Sequence, residues 1–218
     1  MINFEAIATR AISRLPIDKR QKCLDAPFEK RSCPDQFVGV ISEIERQEEF
    51  TDRYPASKRP PNLPCVLLVL ESPHKAEFDA DPEPAKGGTG RNIVRYFRHI
   101  PGLDDKGDFG LLLVNAVQFQ CSLGKSTSLC RDAVFSDVWE SGGEAFFASR
   151  IRELYRDGDV VVNCCTRGKT SNPTKQLRTL VQRALVAQLQ DRTTVLRLNH
   201  PSFWHFPANR SREWSYAG

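Results

Sequence analysis

Four short apolar runs, at residues 66–70, 111–114, 160–162 and 195–198, constrain this chain more than any other feature, because each ends abruptly in polar residues. Each run is short and rich in Val and Leu, as a strand buried on both faces should be. Helical spacing fills the segments between them, which predicts parallel strands joined by right-handed crossovers. The expected fold class is therefore α/β, a three-layer α/β/α arrangement around a four-stranded parallel sheet. In such a sheet all strands deliver their C-terminal residues to one edge, where open α/β folds build their sites. Glu71, Ser72 and His74 would arrive there from the first run, Asn115 from the second, and Asn199, His200 and Ser202 from the fourth.

At 218 residues the chain reads as a single α/β domain, residues 1–218, long enough to bury a substantial core. Residues 1–60 read as a helical N-terminal cover and 64–205 as the core. Phe4, Ile7, Ala8, Ala11, Ile12 and Leu15 recur at helical spacing until Pro16 stops them, and a second amphipathic stretch runs through Phe37, Val40, Ile41 and Ile44. The formal charge of +4 permits an anionic partner without demanding one. No stretch approaches the roughly 18 apolar residues of a membrane span, and no secretory leader pattern opens the chain, so a cytoplasmic protein without a membrane partner is expected. Seven cysteines are an odd set, and adjacent Cys164 and Cys165 in a strand point to opposite faces. Reduced thiols are the expected state.

The segment after the first run, residues 75–90, is dense in Asp, Pro and Gly and opens into a helix with Ile93, Val94 and Phe97 on one face. A connection of that length inside a compact domain is usually functional. A further helix covers residues 144–155, burying Phe147, Ile151, Leu154 and Tyr155, and another begins at Asn172-Pro173, an N-cap followed by proline at the first helical position. Thr166-Arg167-Gly168-Lys169-Thr170-Ser171 follows the third run and brings two cations and three hydroxyls to the same edge, which suits phosphate positioning by Arg167 and Lys169.

Four motifs, in order, carry a resemblance. Leu70-Glu71-Ser72-Pro73-His74 is similar to a Gly-Glu-Ala-Pro-Gly motif, with Glu71 and Pro73 in register. Pro84-Ala85-Lys86-Gly87-Gly88-Thr89-Gly90 is similar to Pro-Phe-Val-Gly-x-Ala-Gly, residues 111–117 to a strand whose asparagine reads an extruded base, and Asn199-His200-Pro201-Ser202 to a closing His-Pro-Ser type motif. Together they resemble the uracil-DNA glycosylase superfamily, closest to its bacterial and archaeal branches. The resemblance spans residues 64–205 and says little of the N-terminal part. Each motif alone is weak, and the order at successive strand ends is what gives them weight.

The resemblance implies a four-stranded parallel sheet flanked by helices, and hydrolysis of the N-glycosidic bond of a flipped-out base in DNA. Glu71 would orient or deprotonate the attacking water, and His200 would donate to the base as it becomes anionic. His74, where another branch also carries histidine, ranks second to Glu71. Asn115 would read the base edge. Ala85 stands where the matched branch has a phenylalanine that stacks on uracil, so either another ring such as Phe78 supplies the stacking or the base is larger than uracil; a modified or bulky base is favoured. Lys86, Gly87, Gly88, Thr89 and Ser202 would hold DNA phosphate, the loop at a helix N-terminus. Residues 203–206 would either wedge into a duplex or pack as a lid. The branch holds an iron–sulfur cluster through four cysteines whose spacing neither Cys23 and Cys33 nor Cys121 and Cys130 reproduces, so no metal or cofactor is expected. No motif lysine offers a Schiff-base nucleophile, although Lys75 keeps a lyase route open. The residues alone leave plainer readings open: Glu71 as a capping or surface group, Asn115 and His200 as turn residues. The same motifs also leave open a non-catalytic DNA- or nucleotide-binding module and a nucleoside hydrolase or transferase. The sequence names no protein partner.

Overall fold

A computed structural model describes residues 3–24, 29–123 and 127–216. The chain begins with α1 (Phe4–Ser13), capped by Asn3, whose side chain accepts the N–H of Ala6, and α2 (Ile17–Leu24). Strand β1 (Gln36–Val40) runs straight into the short α3 (Ile41–Ile44), and β2 (Tyr54–Pro55) follows. Then come β3 (Cys65–Leu70), α4 (Gly88–Tyr96), β4 (Gly110–Asn115), α5 (Thr127–Val138), α6 (Glu144–Leu154), β5 (Val160–Asn163), α7 (Leu177–Leu189), β6 (Val195–Arg197) and α8 (Pro207–Arg210). The four apolar runs form β3, β4, β5 and β6.

The sheet is mixed and six-stranded, in the order β2-β1-β4-β3-β5-β6. β4, β3, β5 and β6 are parallel neighbours, and β1 lies antiparallel to both β4 and β2. This corrects two expectations: the sheet has more than four parallel strands' worth of width, and residues 1–60 are not a purely helical cover. Phe37 and Val38 are adjacent and both buried, Phe37 in the core on one face of the sheet and Val38 in the core on the other. That is the period of two of a strand. The helix-like spacing of Phe37, Val40, Ile41 and Ile44 arises because a strand passes directly into a helical turn.

Alternation divides the strand side chains between two cores. Leu67, Val69, Leu112, Val114 and Val161 pack under α1, α5, α6 and α7. Val66, Leu68, Leu70, Leu111, Leu113 and Val162 pack against α3, α4 and Trp204. Each such Val or Leu, fully withdrawn from water, contributes roughly 1.5–3 kcal/mol, so the sheet is a rigid platform for its C-terminal edge. At the opposite edge Arg59 and Asp159 form a buried pair at 2.7 Å, and Asp159 also accepts the N–H groups of Cys65 and Arg156.

Cys164 and Cys165 face opposite cores, and both are free and buried. The expectation of wholly reduced thiols fails at one pair: Cys23 of α2 and Cys130 of α5 form a disulfide. These helices pack side by side, an adjacency that sequence spacing does not reveal. Among the described residues no helix is long and apolar enough to cross a membrane.

Candidate functional site

The parallel strands end where β3 and β4 are zipped together beyond the sheet register. Ala116 N–H donates to Leu70 O at 2.7 Å and Val117 N–H to Glu71 O at 2.9 Å. Glu71 is thereby fixed one residue past β3. Its Oε2 accepts the N–H of Thr166 at 3.2 Å, and its Oε1 lies 3.6 Å from Arg131 Nη1. His200 Nε2 lies 3.6 Å from Glu71 Oε2, so the two residues face each other although they close opposite ends of the core sequence.

The imidazole of His200 is oriented by its own turn. Nδ1 accepts the N–H of Ser202 at 3.2 Å and sits 2.9 Å from Ser202 Oγ. With Nδ1 acting as acceptor, the ring proton resides on Nε2 and points at Glu71. The gap of 3.6 Å exceeds a hydrogen bond. Burial lowers the His200 pKa, Glu71 opposes that shift and Arg131 adds to it. The ring is therefore neutral at neutral pH.

Asn115 ends β4 opposite Leu70 and is 1% exposed. Its carbonyl accepts Arg150 Nη2 at 2.8 Å, but neither Oδ1 nor Nδ2 of its side chain has a hydrogen-bond partner. Glu77, in the turn Lys75–Phe78 after β3, is buried with Oε2 unpartnered. Burial pushes its carboxyl up to about 8, and backbone groups of His74 and Ala85 pull the other way while Glu71 pushes in the same sense as burial. Glu77 is thus protonated at neutral pH. Ser72 Oγ and Thr166 Oγ1 are unpartnered as well. Buried polar atoms are ordinarily paired with protein or ordered water, so these side chains leave open hydrogen-bonding capacity near the strand ends.

The other expected residues divide into groups. His74 is exposed, caps its turn by accepting Ala76 N–H at 3.3 Å, and lines an open groove of about 490 Å³ with Gly88, Thr89 and Ser202. Arg91, Asn92, Arg95 and His205 complete the lining, so the groove carries cations and no carboxylate. Gly87, at φ +81°, admits the turn into α4. Lys86 does not reach this groove: its Nζ donates to Asp79 O and lies 3.4 Å from Glu83, lining instead a separate cavity of about 110 Å³ with Ala85 and Phe50. Ala85 is fully buried at φ +56°. Phe78 is buried beneath Arg31, whose guanidinium donates to its carbonyl. Arg167 and Lys169 are exposed on a loop held by Thr166 N–H on Glu71 and Lys169 N–H on Asp132. The 203–206 segment divides: Trp204 is buried with Nε1 donating to Asn199 O at 2.8 Å, and Phe203 and Phe206 stand about half exposed.

Two residues at the site were not singled out from sequence, Arg131 and Glu77. The spacing of Cys130, Val134 and Val138 marks the inner face of α5, but not that Arg131 turns toward Glu71. Cys23 and Cys130 are bonded to each other, and among the described residues no group of three or more His, Cys, Asp or Glu side chains is placed to hold a metal ion.

Comparison with protein-family models, with curated proteins and with solved structures finds no match to this chain.

Proposed function

We propose that the protein is a DNA glycosylase, of a fold related to the uracil-DNA glycosylase superfamily, that releases a flipped-out base by hydrolysis. The observation that carries this reading is the approach of the Glu71 carboxylate to within 3.6 Å of a neutral His200 whose Nε2–H faces it. Breaking an N-glycosidic bond builds positive charge on the sugar and negative charge on the departing base. Glu71 suits the first need and orients or deprotonates the attacking water. His200 Nε2–H suits the second, because it donates to a base oxygen that becomes anionic, and no proton must be lost beforehand. The unpartnered amide of Asn115 and the protonated Glu77 each offer a donor and an acceptor to the edge of an extruded base.

DNA would lie along the carboxylate-free groove of His74, Gly88, Thr89, Ser202, Arg91 and Arg95, with Arg167 and Lys169 reaching further phosphates. Exposed Phe203 and Phe206 beside it suit a wedge that fills the space left by the base.

The alternative, a DNA- or nucleotide-binding module of the same fold, gains from one observation: the Arg131 guanidinium beside Glu71 offsets the charge that catalysis would use. Oligonucleotides carrying single modified bases, treated with protein and then alkali, separate the two. The wild type should yield strand scission with at least one base, and Glu71→Ala and His200→Ala should abolish it. Binding without scission across the whole panel would reject the enzyme in favour of the module.

A further inference from the structure

The two oxygens of Glu71 have different fixed neighbours. Oε2 meets Thr166 N–H and faces His200, and Oε1 faces Arg131 Nη1. Arg131 is not free to wander, since its Nε and Nη2 both lie 3.0 Å from Asp132 Oδ1. The other oxygen of Asp132 accepts Lys169 N–H, and at Gly168 a side chain would meet that oxygen at 2.8 Å, so the loop is seated closely on Asp132. Three consecutive residues of α5 thus act together: Cys130 ties the helix to α2, Arg131 faces the carboxylate, and Asp132 anchors the loop that carries Arg167 and Lys169.

We propose that Arg131, locked by Asp132, is a positioning residue that holds the Glu71 side chain with Oε2 toward His200. The inference rests on the glycosylase reading for its consequence in catalysis, but the geometry it describes does not depend on it. The charged groups that face His200 are Glu71, from the end of β3, and Arg131, from α5. Burial is the largest influence and disfavours the imidazolium; Glu71 favours it, and the guanidinium adds to the effect of burial. Without the guanidinium, Glu71 would keep only the Thr166 N–H on Oε2, and Oε1 would lose its fixed neighbour.

The test uses Arg131→Gln and Arg131→Lys in the full chain, with two readouts. The first is the titration of His200 followed by NMR, with His200→Gln assigning the signal. A cation within two such contacts of the ring shifts its midpoint by roughly one pH unit, so Arg131→Gln should raise it by about that much and Arg131→Lys should leave it near the wild-type position. The second is single-turnover base release: its acid limb should move with the His200 midpoint. At neutral pH the rate should fall between about tenfold and a hundredfold in both variants, because a lysine keeps the charge but not the fork, with KM little changed. A folded Arg131→Gln protein with the His200 midpoint unmoved would overturn the proposal, as would an unmoved acid limb. If Arg131→Gln does not fold, Arg131→Lys decides it: full activity would overturn the role, and lost rate with an unmoved midpoint would support it. A shifted midpoint in a protein that releases no base would support the positioning role and reject the glycosylase reading alone.

Discussion

Glu77→Gln removes one titrating proton from the buried floor of the site while keeping the side chain's size. In the folded protein, burial first and the Glu71 charge in the same sense raise this carboxyl from its ordinary value of 4.5 to about 8. Between those two values the native state holds a proton that the unfolded chain has released. The group therefore stabilises the fold fully below the unfolded value, and that contribution is lost as pH rises toward the folded one. One proton of difference is worth about 1.4 kcal/mol per pH unit, so from about pH 5 to about pH 7.5 the loss is on the order of 3 kcal/mol. Glutamine has no such proton, so the stability of the variant relative to wild type should climb with pH by that amount. His200, whose pKa is lowered by burial, gives the opposite slope below its unfolded value, but it does so in both proteins and drops out of the difference. Urea denaturation at a series of pH values measures the quantity, with m-values compared to ensure like transitions. Parallel stability curves for the two proteins would refute the buried, protonated Glu77, as would a variant that loses ground with rising pH.

Gly90→Ala should cost on the order of 1–3 kcal/mol, read as a lower denaturation midpoint. Its Cβ would fall 2.1 Å from Ala85 O and 3.3 Å from the Phe50 ring, forcing the loop before α4 to move. Asp159→Asn leaves the Arg59 guanidinium buried without its charge partner and should destabilise by roughly 3 kcal/mol or more, seen as a fall in thermal midpoint. Arg167→Ala with Lys169→Ala should make the salt dependence of duplex binding shallower by about 2 in the log–log slope, since each lost phosphate contact removes about 0.9. An unchanged slope would place both cations off the DNA.

The strands and the convergence at their ends were legible because their chemistry is local and repetitive. The Val- and Leu-rich runs of β3, β4 and β5 need burial on both faces, and the polar residues that follow them must sit where the sheet opens; β6, interrupted by Arg197, is the half-buried edge. Glu71 and His200 meet for that reason, although nothing in their immediate neighbourhood names the other. Other features depended on contacts that no spacing encodes. Phe37 and Val40 disguise a strand as part of a helical stretch with Ile41 and Ile44, because β1 runs directly into α3. Lys86 sits in a phosphate-loop pattern, yet the Asp79 carbonyl and the Glu83 carboxylate, a few residues away, capture it first. The Cys23–Cys130 bond and the turn of Arg131 toward Glu71 both depend on where α5 lies against its neighbours. Glu77 was hidden by its loop: a carboxylate among Asp, Pro and Gly reads as solvated, and only the folded loop buries it.

Mass analysis of the free bases released when the purified protein digests genomic and phage DNAs of known modification puts the pairing of Glu71 with His200 to its sharpest trial. A free modified base, released by the wild type from DNA but not from the isolated nucleoside and not released by Glu71→Ala or His200→Ala, is the predicted result. Release that persists in both variants, or no free base from any of the DNAs, would contradict it.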